Sequence, residues 1–174
     1  EFFLVDPLDG TKEFIKACGD GAFTVNIGLI KNAEPVMGIV FAPALDRLFF
    51  GSLGNGAFES SGGIGRQICV RMPPAEGPVA VASASHRDAQ TNQWLEKRGV
   101  TNSIAIGSSL KFCLIAAGEA DLYPRYGPTM EWDTAAGDAV LRAAGGRVMA
   151  EDGKPFPYGK AGYRNEPFFA AGGG

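Results

Sequence analysis

The sequence predicts a layered α/β fold, and two observations carry that expectation. The first half of the 174 residues is a series of short β-rich runs broken by turn residues; from Pro78 onward strands and helices alternate. Hydrophobic residues make up 45% and charged residues 20%, so the chain can bury a core and is not compositionally disordered.

Taken in order, the apolar run Glu1 to Val5 reads as a buried strand, and Thr11 to Cys18 as a short helix ended by Gly19. Ala22 to Ile30 is a strand, turned by Lys31 to Glu34 into a second strand from Pro35 to Ala42. Arg47 to Phe50 and Gly56 to Glu59 form a hairpin across Gly51 to Asn55, Ser60 to Gly65 is a loop, and Met72 to Pro78 is a linker. In the second half, Val79 to Ser83, Ser103 to Ile106, Ala120 to Tyr123 and Arg147 to Met149 are strands. Arg87 to Arg98, Ser109 to Ala117 and Asp133 to Ala144 are helices, each stopped by glycine. Trp94 and Phe112 fall on apolar helix faces and are expected in the core, while Arg66, Arg71 and Arg87 read as solvated charges.

Bulk properties exclude several function classes. A net charge of −3 gives no general attraction to nucleic acid or anionic membrane. No stretch approaches the ~20 apolar residues needed to span a bilayer. Cys18, Cys69 and Cys113 contain no C-x-x-C pair, which argues against a disulfide framework or a zinc site and fits a cytoplasmic location. The start at Glu1 reads as the interior of a longer protein.

The chemistry concentrates at Asp6-Pro7-Leu8-Asp9-Gly10-Thr11. Like charges ~4 Å apart cost about 4 kcal/mol at an effective dielectric near 20, and a hard divalent cation relieves that cost. The helix expected after Gly10 would turn free N–H groups toward an anion such as phosphate. Asp-Pro or Asp-Gly alone would read as a turn. A second element, Glu131-Trp132-Asp133-Thr134-Ala135-Ala136-Gly137, places Asp133 where an N-cap would sit, with small residues behind it that permit close backbone approach.

Together, D-P-L-D-G-T and W-D-x-A-A-G resemble the paired motifs of the inositol monophosphatase superfamily of Mg²⁺-dependent, lithium-sensitive phosphatases. Lys12-Glu13-Phe14 after the first motif, and Tyr123 to Thr129 before the second, resemble its bacterial 3'(2'),5'-bisphosphate nucleotidase branch. The resemblance implies a sugar-phosphatase-type αβαβα sandwich, incomplete at the N-terminus. Residues 1–77 would be the later part of the metal-motif subdomain and residues 78–174 the second subdomain, with the site between them.

It also implies roles. Asp6 would bridge two Mg²⁺ ions; the Leu8 carbonyl would ligate one, and Asp9 and Asp133 the other. Gly10 and Thr11 would present N–H groups to the scissile phosphate, with the Thr11 hydroxyl orienting and deprotonating the attacking water; a plain N-cap is the rival role for Thr11. His86, Ser108, Lys111 and Arg125 are candidates for the nucleotide and its second phosphate, against plainer roles as a strand-end residue, a cap, a solvated lysine and a loop anchor. The reaction implied is hydrolysis of adenosine 3',5'-bisphosphate to AMP and phosphate, as in sulfur assimilation. The alternatives are an inositol phosphate or other sugar-phosphate phosphatase, and a non-catalytic Mg²⁺ or nucleotide-binding module. The partner expected is a small phosphorylated nucleotide, not a nucleic acid polymer; monomer and homodimer are both open. The family's acidic pair upstream of the first motif, and a further Asp that partners the Thr, lie outside this sequence. This piece alone is therefore expected to bind metal and turn over poorly.

Overall fold

A computed structural model describes residues 1–15, 21–83 and 88–173. Six strands form an antiparallel sheet in sequence order: β1 (Phe2–Asp9), β2 (Thr24–Lys31), β3 (Glu34–Ala42), β4 (Arg47–Ser52), β5 (Gly56–Ser61) and β6 (Ile64–Ile68). A five-stranded sheet follows in the order β11 (Arg147–Ala150), β13 (Phe168–Ala171), β9 (Leu122–Arg125), β7 (Val79–Ser83) and β8 (Asn102–Ile106). β7 runs parallel to β8 and β9, and β13 antiparallel to its neighbours. A small ladder joins β10 (Thr129–Met130) to β12 (Arg164–Asn165).

Helices α3 (Leu110–Ala116) and α4 (Glu131–Ala143) lie against the first sheet and also touch strands of the second; every residue of α3 is buried. Helix α2 (Ala89–Lys97) lies beyond the second sheet, where Trp94 stacks on Phe169 of β13 with ring centroids 5.1 Å apart. The result is the layered α/β arrangement that the sequence predicts. Among the described residues no helix covers the outer face of the first sheet, and Phe3, Val5, Phe41 and Phe50 are exposed there.

The contact between α4 and the first sheet depends on small residues on both sides. Strand β2 alternates strictly, burying Thr24, Asn26, Gly28 and Ile30. A methyl group on Gly28 would lie 2.9 Å from the Ala135 methyl, and one on Gly38 would lie 2.1 Å from the Ala136 carbonyl oxygen. Neither glycine tolerates a side chain, because the obstructing atoms are helix backbone or a short methyl that cannot swing aside. α4 is thereby seated close enough for its first turn to reach the end of β1.

Several expectations are corrected. β1 is not a buried strand: only Leu4 is fully buried, and Phe2, Phe3 and Val5 are exposed. The run 60–65 is not a loop but a tight reversal, with Gly62 and Gly63 at φ of 57° and 76° joining β5 to β6. Two successive positive φ values are the geometry that favours a Gly-Gly hairpin turn. β9 extends through Pro124 to Arg125, where a proline would ordinarily argue against a strand. Asp133 is not the N-cap; Met130 holds that position and Asp133 is the third helical residue. Arg66 and Arg71 are not free charges, since they pair with Glu59 and Asp121. Trp94 is half-buried rather than core. Helix α1 is described over Thr11–Ile15; its expected continuation to Cys18, like the helix start expected at Arg87, lies outside the described residues.

Candidate active site

In an unbroken strand, residues three apart face opposite sides of the sheet. Asp6 and Asp9 escape that parity because β1 is irregular between them: Asp6 pairs with Asn26 and Asp9 with Thr24, so three steps on β1 match two on β2. Pro7 suits this break, having no N–H to offer the ladder. The Leu8 N–H donates instead to Asp6 Oδ1 at 3.0 Å. The first turn of α4 adds the third carboxylate. Ligand oxygens of Asp6, Asp9 and Asp133 all lie within 4.8 Å of one another.

Each acid is held by its surroundings. Asp9 Oδ2 accepts from the Ser109 N–H at 2.7 Å and from Asn26 Nδ2 at 3.5 Å. Asp133 Oδ2 accepts from the Met130 N–H at 2.8 Å, the return bond of an N-terminal capping arrangement. Burial pushes the Asp9 carboxyl above its ordinary range, and the neighbouring Asp6 adds to that, against the opposing pull of Lys111 and the hydrogen bonds from Ser109 and Asn26. Asp133 is pushed up to about 7, by burial first and then by Asp9 and Asp6. Three crowded acids, two of them resisting ionisation, suit a divalent cation.

A cavity of about 570 Å³ opens beside them, lined by Gly10, Thr11, Ser108, Lys111, Arg125 and Thr129 among others. Gly10 has φ 86°, and a side chain there would press on the Ala22 carbonyl oxygen at 3.1 Å. The glycine thus permits the reversal from β1 into α1, whose opening N–H groups point outward from the helix start. Lys111 is buried, its Nζ donating to the Ser108 carbonyl at 2.5 Å; burial, aided by nearby Arg125, lowers its ammonium to about 8. Arg125 donates Nε to the Gly127 carbonyl at 3.1 Å and Nη2 to the Pro128 carbonyl at 3.2 Å.

Against this geometry the known families give a direct match: the model of the inositol monophosphatase family matches residues 1–169. The chain belongs to the inositol monophosphatase family. Within the family it is 50% identical over 157 residues to the 3'(2'),5'-bisphosphate nucleotidase CysQ of Escherichia coli (strain K12), covering 90% of this chain and 62% of that protein. It is 43% identical over 173 residues to the CysQ of Buchnera aphidicola subsp. Acyrthosiphon pisum, covering 98% of this chain and 64% of that one. The crystal structure of CysQ from Bacteroides thetaiotaomicron superposes with a TM-score of 0.88 at 41% identity, covering 98% of this chain and 69% of that one. The inositol monophosphatase of Anabaena (Nostoc) sp. PCC 7120 gives 0.77 at 30% identity, covering 98% and 66%. The chain spans less than two thirds of the length of the curated relatives it matches.

In this family member the structure brings together Asp9, Gly10, Thr11, Ser108, Lys111, Arg125 and Asp133 around one cavity, with Asp6 joined to it through the acid cluster and Leu8 on the strand between. His86 lies outside the described residues. Lys111 is neither a solvated lysine nor free to swing, and Arg125 is a loop anchor through carbonyls rather than through a carboxylate. Three contributors were not singled out from the sequence. Ser109 connects Asp9 to Asn26 through its Oγ, which donates to Asn26 Oδ1 at 2.6 Å. Asn26, fully buried in an alternating strand, is a polar residue at a core position, and that was the available signal. Glu13, buried on α1, also lines the cavity; Lys-Glu-Phe contributed to the likeness but carried no assigned role.

Proposed function

We propose that the full-length protein is a Mg²⁺-dependent phosphatase that removes the 3' (or 2') phosphate of a 3',5'-bisphosphorylated nucleoside, adenosine 3',5'-bisphosphate above all. The observation that carries the reading is the meeting of Asp6, Asp9 and Asp133 within 4.8 Å at the edge of a cavity that also holds Lys111 and Arg125. The chain's 50% identity to a relative named for that activity supports the substrate class.

The donor set fits magnesium: oxygen ligands only, crowded, with Asp9 and Asp133 held above the ordinary carboxylate range by burial. Asp6, Asp9, Asp133 and the Leu8 carbonyl would hold two or more ions, which when bound supply charge neutralisation and a more acidic water. The chain's own residues do the rest. Gly10 and Thr11 turn backbone N–H groups toward the scissile phosphate, and the Thr11 Oγ1 accepts a hydrogen bond from the attacking water and aligns it. Lys111 and Arg125 offer two cations to the phosphate that is not cleaved, with Ser108 beside them. A buried ammonium already fixed to a carbonyl contributes to binding without first losing side-chain entropy. The family resemblance supports His86 as a further contact to the nucleoside.

The test is phosphate release by full-length protein from adenosine 3',5'-bisphosphate and from inositol 1-phosphate, with Mg²⁺ and with EDTA. The reading expects Mg²⁺-dependent turnover that favours the bisphosphate by at least about tenfold in kcat/KM, roughly 1.4 kcal/mol of transition-state preference. Preference for inositol phosphate would place the chain in the other branch of its family. No release from either would favour a binding module.

A further inference from the structure

Glu131 lies two positions before Asp133, and its side chain is completely buried. Its carboxylate does not face the acid cluster. Oε2 accepts from the Gly159 N–H at 2.8 Å, and Oε1 accepts from the Lys160 N–H at 2.9 Å and pairs with Lys160 Nζ at 2.8 Å. Three donors on one buried carboxylate make a strong, directional grip, far costlier to break than an exposed pair.

The gripped segment is itself tied to the first sheet. The Tyr158 N–H donates to the Ala33 carbonyl at 3.1 Å in the β2–β3 turn, and Gly159 sits so near β1 that a methyl added there would meet the Phe2 ring at 3.4 Å. Downstream, Asn165 Nδ2 donates to the Met130 carbonyl at 2.8 Å, while the Met130 N–H holds Asp133 Oδ2. A strap over residues 158–165 therefore links the sheet that carries Asp6 and Asp9 to the first turn of the helix that carries Asp133.

We infer that Glu131 is a positioning residue, fixing the register of Asp133 against Asp6 and Asp9 through this strap. The inference rests on the metal role proposed above and assigns Glu131 no contact with ion or substrate. A Gln at this position keeps the size but loses the charge, and its amide N–H₂ would face donors. A merely structural Glu131 would change melting temperature alone; a positioning one changes the affinity for the ion.

Calorimetric titration of Mg²⁺ into full-length parent, Glu131→Gln and Lys160→Met separates the cases, with melting temperatures and steady-state kinetics alongside. Supporting groups of metal ligands characteristically change affinity by 10- to 100-fold, so Glu131→Gln should bind Mg²⁺ at least about tenfold more weakly. Its KM for the bisphosphate at saturating Mg²⁺ should stay at the parental value, and excess Mg²⁺ should restore turnover. If Glu131→Gln does not fold, Lys160→Met carries the test, because it leaves both backbone donors in place; it too should bind Mg²⁺ more weakly than parent. Parental affinity in the folded variant, or a lowered melting temperature with parental affinity, overturns the inference and leaves the proposed function standing. A parent that takes up no Mg²⁺ overturns both.

Discussion

The Ser109 N–H donates to Asp9 Oδ2 at 2.7 Å, joining residues one hundred positions apart. The same serine's Oγ donates to Asn26 Oδ1 and lies 3.0 Å from Thr24 Oγ1, so the start of α3 is connected to the inner face of β2 as well as to the motif acid. The acid cluster is thus supported from both halves of the chain.

That relationship makes Asn26 testable. Asn26→Ala removes a buried hydrogen-bond partner of the Ser109 hydroxyl, which keeps Thr24 Oγ1 at 3.0 Å, and should cost about 1 kcal/mol. It also removes one of the hydrogen bonds that favour the ionised form of Asp9, so Mg²⁺ affinity should fall about tenfold, at the low end for a supporting group. Denaturant melts and a Mg²⁺ titration check the two effects; unchanged affinity would show that Asn26 supports the fold alone.

Asp133 gives a pH prediction. Its carboxyl is raised from 3.8 to about 7 in the fold. The folded state therefore holds the proton more tightly, and this group's contribution to stability is fully present below about pH 4 and lost as pH rises through about 7. Metal-free protein should lose melting temperature across that window, and Asp133→Asn should flatten the loss. Added Mg²⁺ favours the ionised form, so its stabilisation of the parent should grow as pH rises through about 7 and level off above that, while the variant gains little. Loss of this proposed ligand should also lower kcat/KM by more than the roughly 10- to 100-fold that supporting groups cost.

Lys111→Met tests the proposed second-phosphate site. A hydrogen bond to a charged group is worth about 1.5–3 kcal/mol, so KM for the bisphosphate should rise about 10- to 100-fold. Burial lowers the Lys111 ammonium to about 8, so parental KM should also rise as pH passes that value, and the variant's should not. Kinetics from pH 6.5 to 9.5 provide the measurement.

Gly38→Ala tests how α4 is seated. The new methyl would stand 2.1 Å from the Ala136 carbonyl oxygen, and backbone must move to admit it. Overpacking of this severity costs about 3 kcal/mol, or roughly 6–12 °C in melting temperature for a domain of this size. Gly65→Ala, which meets nothing within 4 Å, is the control and should melt within a degree or two of the parent.

Much of this was legible in the sequence because the signals were local. The alternation of β2, the turn at Lys31 to Glu34 and the glycine after each of α2, α3 and α4 are short-range physics, and those elements lie close to where they were expected. The two acidic motifs were legible as a pair by resemblance, and their convergence follows from the β1 irregularity at Pro7 and the glycine seats under α4. What was not legible depended on distant partners. The exposure of β1 is set by what covers a sheet face, not by its apolar letters. β6, with Arg66 and Gln67 in a five-residue run, forms because β5 supplies a ladder. Arg71 finds Asp121 fifty positions away, and Asp9 finds Ser109 at twice that distance; no local pattern announces such a pairing.

The most direct measurement is a crystal structure of the full-length protein grown with Mn²⁺ in place of Mg²⁺, read by anomalous scattering. The account predicts a peak bound to carboxylate oxygens of Asp6, Asp9 and Asp133 together, at distances of about 2.0–2.3 Å. Strong Mn²⁺ density elsewhere, with Asp133 turned away from Asp6 and Asp9, would contradict it.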